Sequence, residues 1–361
     1  MSKMGRIEKL RSKLAEKELD AFFVSSPENR AYFSGFRGSA GYLWITPTDA
    51  LLATDFRYTE QAEAQATDYR VVRITGGLDW LKEAVSSSGA RRIGFEDSSL
   101  TVSQYNTFNE TLGDLDPKPV LAPTGNMASQ VRAVKDADEL VLIQKAIDIA
   151  DQAMEEVGAK LRPGLTEREV AWMLEVAMRE RGADALSFET IVGSGPNGAR
   201  AHHHPTDRRL ELGDGVVVDM GALYDGYCSD ITRTFVLGKA SPEFRKIYDI
   251  VLSAQETAEA TARAGMTGGE IDGLSRAIIS EAGYGETFGH SLGHGIGIAV
   301  HELPGVGPNS PGVVEDGMVF SVEPGIYVTG WGGVRIEDLV VMENGRPRVM
   351  TQAHKRDLVE I

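Results

Sequence analysis

The chain has 361 residues and a formal net charge of −16, and this length predicts two domains. The acidic balance argues against nucleic acid or an anionic membrane as a partner, because both need a basic face, and no run of 18 apolar residues is present. Cys228 is the single cysteine, so no internal disulfide can form, and the charged N-terminal segment is unlike a secretory signal. We therefore expect a cytoplasmic protein.

Short strands and helices alternate in the first third of the chain, and this alternation predicts a three-layer α/β unit. The segment 116–125 is rich in Pro and Gly and predicts a boundary, which gives one domain at 1–124 and a second at 125–361. The predicted elements before it are a helix at 6–19, strands at 21–26, 42–47, 50–55 and 91–97, and a helix at 101–112.

The second part begins with an amphipathic helix, in which apolar residues from Leu140 to Leu161 recur at spacings of three and four. Three more helices are predicted to begin at Thr166, Ser241 and Thr267, where a capping box or a following proline marks the start. Predicted strands lie at 215–221, 227–236, 318–328 and 334–342, with a hairpin turn at Asp225-Gly226. A pair of helices followed by a hairpin occurs twice in this part of the chain, which indicates an internal pseudo-repeat.

Two aspartates of the first hairpin are candidate metal ligands. Asp219 ends the apolar run 216–218, where a buried carboxylate is unfavourable unless it is paired or bound to a metal. Asp230 follows 11 residues later, and two neighbouring carboxylates repel each other unless a cation lies between them. The alternative is a strand-end aspartate that caps a turn or pairs with Arg233.

Three of the seven histidines, His290, His294 and His301, fall in a glycine-rich segment at 288–305. Glycines let the backbone bend closely around a site, and imidazole suits Zn, Mn, Co or Fe. The alternative, a core or surface role, holds better for one isolated histidine than for three together.

Two glutamates follow apolar runs near the C-terminus. Glu323 comes after 318–320, and Glu337 shares strand parity with Arg335 and two apolar neighbours, so both are predicted to point into the interior. Arg335 on the same face can orient a carboxylate. A surface ladder of opposite charges is the alternative for Arg335 and Glu337.

A tract of three consecutive histidines, His202 to His204, follows a glycine-rich loop. Consecutive residues of an extended chain cannot all face one point, so we expect one of them to be functional. Cys228 is an alternative nucleophile, but its parity with Asp230 favours a packing role beside the ligands.

These motifs resemble the pita-bread metallopeptidases, which include aminopeptidase P, prolidase and, more distantly, methionine aminopeptidase. The matched pattern is Asp219, Asp230 11 residues on, His294 in Gly-His-Gly-Ile-Gly, Glu323 in Glu-Pro-Gly, and Glu337 in Arg-Ile-Glu. Residues 29–36 and 54–58 are similar to the creatinase/prolidase N-terminal domain. The resemblance implies an α/β creatinase/prolidase-like N-terminal domain followed by an α+β pita-bread catalytic domain.

The resemblance also implies roles for these residues. Asp219 would hold one of two divalent ions, His294 and Glu323 the other, and Asp230 and Glu337 would bridge both; Mn is expected, with Co, Zn or Fe open. Glu323 would carry the proton, and Arg335 would hold the ligand carboxylates. The histidines expected at the substrate are His202 on the substrate loop, His290 in the proline pocket and His301 at the developing oxyanion.

The implied substrate is a peptide with proline second, and the family implies a homodimer. Many prolidases have an arginine shortly after the His-Glu element to bind the dipeptide carboxylate, but residues 295–322 contain no Lys or Arg. We therefore predict an Xaa-Pro aminopeptidase, with an Xaa-Pro dipeptidase as the alternative. A non-catalytic binding protein of the same fold is a remote alternative, because such relatives tend to lose metal ligands and this chain keeps five.

Overall fold

The computed structural model describes residues 3–361 and divides into two compact units, Met1–Arg132 and Ala133–Ile361. The division falls after the boundary predicted at residue 124. The reason is that residues after 124 are bound to the first unit: the Gly125 amide donates to Asp97 Oδ1 (2.7 Å), and the Val131 carbonyl oxygen accepts from Tyr32 Oη (3.3 Å).

The first unit is an α/β unit built on one six-stranded sheet of order β4-β3-β2-β1-β5-β6. All predicted strands and both predicted helices of this region are present, and β4 and β6 were not predicted. Aromatic and aliphatic side chains such as Phe23, Trp44 and Phe108 form its core. Its elements are α1 (Lys3–Glu16), β1 (Ala21–Val24), α2 (Pro27–Ser34), β2 (Tyr42–Ile45), β3 (Ala50–Thr54), α3 (Thr59–Gln65), β4 (Arg70–Arg73), α4 (Asp79–Ser88), β5 (Arg92–Phe95), α5 (Val102–Gly113), β6 (Val120–Pro123) and α6 (Met127–Ala133).

The second unit contains two pairs of long helices and four small sheets, in which all strand pairs are antiparallel except one parallel pair, 231–236 with 359–360. Capping boxes at Asp136, Thr166 and Thr267 begin α7, α8 and α10, and Ser241 caps α9, because these side chains accept hydrogen bonds from otherwise unpaired first-turn amides. Its elements are α7 (Ala137–Gly158), α8 (Glu167–Glu180), β7 (Ala185–Leu186), β8 (Ile191–Ser194), β9 (Gly215–Met220), β10 (Ala222–Tyr224), β11 (Tyr227–Cys228), β12 (Ile231–Val236), α9 (Pro242–Thr261), α10 (Gly268–Glu281), β13 (Gly293–Gly295), β14 (Glu302–Val306), β15 (Val319–Val322), β16 (Gly325–Val328), β17 (Gly332–Arg335), β18 (Asp338–Glu343), β19 (Arg346–Val349) and β20 (Val359–Glu360).

Two sheets of this unit carry the acidic motifs. One has the order β20-β12-β9-β8 and the other β14-β13-β15-β18-β19. The first of these sheets packs against α7 and α8 through one apolar cluster, and the second packs against α9 and α10 through another. This arrangement places a helix pair beside each sheet, as the sequence order predicts.

Three of the predicted strands are wrong in one respect, because each is two strands separated by a break. The predicted strand 227–236 is broken after Cys228, 318–328 after Val322, and 334–342 after Arg335. The turn at Asp225-Gly226 accordingly joins β10 to β11, whereas β9 pairs directly with β12. Alternating parity therefore does not run through Glu337, although that side chain is buried. Among the described residues, no helix has the length and apolar character needed to cross a membrane.

Candidate metal centre

Three of the five predicted ligands lie in the strand breaks. Asp230 lies between β11 and β12, Glu323 between β15 and β16, and Glu337 between β17 and β18. Hydrogen bonds from the Glu323 amide to Leu292 O (2.8 Å) and from the Glu337 amide to Thr232 O (3.1 Å) fix the backbone at two of the breaks. Each break interrupts the alternation of a regular strand, so these three side chains do not follow strand parity.

The five predicted ligands line one cavity of about 580 Å³. Ligand atoms of Asp230, His294 and Glu337 all lie within 4.8 Å of one another. His294 Nε2 is 3.6 Å from Asp230 Oδ2 and 3.4 Å from Glu323 Oε1. Asp219 lies on β9, opposite Thr232 of β12. The structure therefore brings all five predicted ligands to one cavity.

The electrostatics of this group are those of a cation site. Burial raises the pKa of Asp230 and Glu337 well above the usual range, and the neighbouring carboxylates raise both further. Burial likewise raises the pKa of Glu323 to about 7. Asp219 Oδ1 and Glu337 Oε1 are buried without a hydrogen-bond donor. Divalent cations would satisfy these oxygens and offset the repulsion, so the residues fit a pair of bound metal ions.

His294 presents the correct nitrogen to the carboxylates. Its Nδ1 is 3.1 Å from the carbonyl oxygen of Gly295, which requires a proton on Nδ1 and leaves the lone pair on Nε2. Burial lowers the pKa of His294, so the ring is neutral, as a metal ligand must be.

The glycines on either side of His294 have a steric role. A Cβ on Gly293 would lie 2.0 Å from the Ser321 carbonyl oxygen, and one on Gly295 would lie 2.1 Å from the Leu303 carbonyl oxygen. Only glycine allows β13 to approach β14 and β15 this closely. The glycine-rich sequence is thus explained by backbone packing that brings His294 to the acids.

Arg335 holds the carboxylate of Asp219 and several neighbours. Its guanidinium forms an ion pair with Asp219 Oδ2 and donates hydrogen bonds to Tyr327 Oη (2.8 Å), Thr232 Oγ1 (3.0 Å) and Ala201 O (3.2 Å). A surface ladder is therefore the wrong interpretation of Arg335, which is buried. Arg233 pairs with Asp338 at 2.7 Å, so pairing of the candidate ligands with Arg233 is also wrong.

Tyr327 is a site residue that sequence reasoning missed. His290 Nδ1 is 2.8 Å from Ser291 O, and its Nε2 is 2.9 Å from Tyr327 Oη. Since a carbonyl can only accept, Nδ1 carries the proton and Nε2 accepts from the tyrosine hydroxyl. Burial lowers the pKa of His290 to about 4, so this ring is neutral and both its nitrogens are engaged by the protein. No sequence signal beyond its place after Glu-Pro-Gly pointed to Tyr327.

The remaining histidines separate into two groups. His202 and His301 are exposed and line the cavity, and the His301 ring centroid is 4.2 Å from that of His294. His203 and His204 also border the cavity, but His203 is buried with Nε2 2.9 Å from Glu167, and the exposed His204 is 3.2 Å from Glu189. The three consecutive histidines therefore have three different environments, and the prediction that one of them is functional stays a prediction.

Cys228 is unsuited to act as a nucleophile. Its thiol is buried, lies 3.6 Å from Ile298 O, and has a pKa raised to about 11 by burial. The reactive thiolate is therefore absent near neutral pH.

A carboxylate-rich cavity of this kind, on two helix-flanked sheets, defines a candidate dinuclear metal hydrolase site. Residues 141–344 match the metallopeptidase family M24, and residues 6–134 match the creatinase/prolidase N-terminal domain. The chain belongs to the metallopeptidase family M24. The predicted family, the enzyme class and the two-domain architecture are thereby confirmed.

Similar proteins of known structure cover nearly the whole chain. An Xaa-Pro dipeptidase from Bacillus anthracis is 41% identical with a TM-score of 0.95, covering 100% of both chains. An X-Pro aminopeptidase from Thermotoga maritima is 38% identical with a TM-score of 0.90, covering 98% of this chain and 99% of that one. An Xaa-Pro dipeptidase from Pyrococcus furiosus is 38% identical over 95% of this chain and 97% of its own length. The aminopeptidase prediction is not confirmed, and these names agree better with the alternative, a dipeptidase.

Proposed function

We propose that this metallopeptidase is an Xaa-Pro dipeptidase that works with two divalent cations. The observation that carries the proposal is the group of four carboxylates and one imidazole at the cavity, each buried or half-buried, with two carboxylate oxygens left unpaired. Similarity to dipeptidases over nearly the full chain supports the choice of substrate class.

Asp219, Asp230, His294, Glu323 and Glu337 would hold the two cations. When bound, such ions lower the pKa of water and polarise the scissile carbonyl. We propose manganese, because a donor set of carboxylate oxygens with one imidazole suits Mn, while Co, Zn and Fe accept the same donors.

The protein side chains would supply proton transfer and orientation. Glu323 faces the cavity and accepts a hydrogen bond from Ser321 Oγ at 3.1 Å, which holds its carboxylate in place as the proton carrier. The exposed imidazoles of His202 and His301 would donate hydrogen bonds to the substrate carbonyl as charge develops on it. His290 would contribute an apolar wall for the proline ring, because neither of its nitrogens is available to the substrate.

A second candidate, an Xaa-Pro aminopeptidase, is favoured by one feature of the cavity. Among the described residues that line it, Arg335 is the one arginine or lysine, and its guanidinium is bound to Asp219 and Tyr327. Lys135 lies beside Gly297, but it is buried and ion-paired with Glu302 at 2.7 Å. A dipeptide carboxylate would therefore bind through imidazoles, through backbone amides, or through a cationic group from outside this lining, such as one of a partner subunit.

Hydrolysis of Ala-Pro and of Ala-Pro-Ala by the same manganese-loaded protein tests the proposal. We expect a higher kcat/KM for Ala-Pro, with loss of activity after chelation and recovery with Mn²⁺. A preference for the tripeptide would support the aminopeptidase instead. The Glu323→Gln, Glu337→Gln double variant is the inactive control, and turnover of either peptide by it would contradict the assigned site.

The homodimer and the cytoplasmic location expected from the sequence remain proposals. Sedimentation of the purified protein measures the first, and cell fractionation measures the second.

A further inference from the structure

Glu167 is a buried carboxylate outside the metal centre, and it accepts hydrogen bonds from six donors. Its Oε1 accepts from Ser194 N (2.8 Å), Ser194 Oγ (2.8 Å) and Asn197 Nδ2 (3.0 Å). Its Oε2 accepts from His203 Nε2 (2.9 Å), Thr206 N (3.0 Å) and Thr206 Oγ1 (2.6 Å). The side chain is fully buried, so every acceptor site that it offers is used inside the protein.

The ionised form of Glu167 is strongly favoured. Burial by itself raises the pKa of this carboxyl, but the hydrogen bonds from Thr206, Asn197, Ser194 and His203 lower it to about 2. Glu167 is also the first residue of α8, where the helix dipole favours a negative charge. Because an ionised carboxylate can only accept, His203 must donate from Nε2, so that nitrogen carries a proton.

The segment bound by Glu167 is the loop that carries His202. Residues 200–206 form neither helix nor strand, so few main-chain hydrogen bonds hold them. Arg335 binds the loop at the Ala201 carbonyl (3.2 Å), and Glu167 binds it at His203 and Thr206. His202 lies between these attachments, and its exposed side chain lines the cavity.

We propose that Glu167 and His203 are a positioning pair that holds His202 at the substrate side of the metal centre. The proposal rests on the proposed function, since His202 is there assigned to the substrate. Neither Glu167 nor His203 needs to touch the substrate, because each acts through the neighbouring His202. His203 borders the cavity as well, but it is buried and its Nε2 is bound by Glu167.

A double-mutant cycle between His202 and His203 tests the coupling. We expect His203→Leu to lower kcat/KM for Ala-Pro about 10- to 100-fold, because small displacements of a substrate-orienting group have effects of this size. In a His202→Leu background the same change should have no further effect. If the factors by which the two single variants lower kcat/KM multiply in the double variant, His203 acts independently of His202, and the proposal is overturned.

Hydrogen exchange supplies a readout that does not depend on activity. His203→Leu should raise deuterium uptake in residues 199–207 and leave 215–236 and 318–342 unchanged. His203→Gln, which can place an amide N–H near the position of Nε2, should restore much of the protection and of kcat/KM. His204→Leu is the matched control, because that exposed side chain lies outside the Glu167 cluster and its loss should not alter uptake.

Thr206→Val is a milder second variant if His203→Leu does not fold, because it removes one donor from Glu167 and keeps the backbone amide. Increased uptake confined to 199–207 supports the proposal. Unchanged uptake, or an increase over the whole catalytic unit, overturns it. If the wild type hydrolyses neither peptide, the proposed function fails, and hydrogen exchange still decides whether Glu167 and His203 order the loop.

Discussion

One carboxylate oxygen of Asp219 is ion-paired with the guanidinium of Arg335, and the other is buried without a hydrogen-bond donor. The ion pair fixes the rotation of the carboxylate, because the guanidinium is itself held by Tyr327 and Thr232. The unpaired oxygen is therefore presented to the cavity in a single orientation, as a metal ligand requires.

Replacing Arg335 should weaken metal binding as well as catalysis. We expect Arg335→Gln to lower metal affinity about 10- to 100-fold, because Asp219 loses the partner that orients it. Arg335→Lys should recover little, since an ammonium cannot reproduce the planar fork. Calorimetric titration of the metal-free protein with Mn²⁺ measures the effect. Arg346→Gln, at an exposed arginine of β19, is the control, and equal affinities of the Arg335 and Arg346 variants would contradict this role.

Glu323 should contribute less to the stability of the metal-free protein as pH rises through the acidic range. Burial raises the folded-state pKa of Glu323 from 4.5 to about 7, so between these values the folded protein binds more protons than the unfolded chain. The contribution of Glu323 to the free energy of unfolding therefore falls with rising pH in this window, and the contributions of Asp230 and Glu337, whose pKa values are also raised, change in the same direction. The lowered pKa values of His290, His294 and His301 act in the opposite direction, so the effect of Glu323 is measured against a Glu323→Gln variant.

Thermal unfolding of the chelated protein across this pH window measures the effect. The glutamine of the Glu323→Gln variant does not titrate in this window, so the Tm of the chelated wild type should fall relative to that of the variant as pH rises. Mn²⁺ should raise the Tm of the wild type most at the upper end of the window. A Tm that rises with pH in the chelated wild type, relative to Glu323→Gln, would be inconsistent with the raised pKa.

Tyr327→Phe should disturb the site without emptying it of metal. The variant removes the hydroxyl that joins Arg335 to His290 Nε2 and leaves that nitrogen without its donor. We expect kcat/KM for proline substrates to fall about tenfold, mainly through KM, with metal content unchanged. Tyr224→Phe is the control, because Tyr224 lies on β10 and packs against the apolar cluster of α7 and α8. A fall in kcat alone would place Tyr327 in the chemical step rather than in the substrate pocket.

Gly293→Ala should destabilise the fold and displace His294. The added methyl would lie 2.0 Å from the Ser321 carbonyl oxygen, so β13 and β15 must separate. We expect a loss of about 1–3 kcal/mol in the free energy of unfolding, together with weaker metal binding. Gly289→Ala is the matched control, because its Cβ would meet nothing within 4 Å, and denaturant unfolding of both variants makes the comparison. Equal stability of the two would refute the close-approach argument.

The sequence was sufficient for the elements whose signals are local. Capping residues and apolar spacing gave the helices from Thr166 and Thr267 because a helix is stabilised by contacts within a few residues. The five candidate ligands were found for a similar reason, since buried carboxylates after apolar runs and a glycine-flanked histidine are local anomalies.

The tertiary structure decided what depends on residues distant in the chain. The breaks at Glu323 and Glu337 could not be inferred from alternation, because the contacts that fix them join separate elements: the Glu323 amide binds Leu292 O, and the Glu337 amide binds the carbonyl of Thr232, 105 residues away. The links from Arg335 to Asp219 and from Glu167 to His203 likewise join separate elements. Local sequence patterns predict which side chains are buried, whereas contacts between residues that are distant in the chain depend on the tertiary structure.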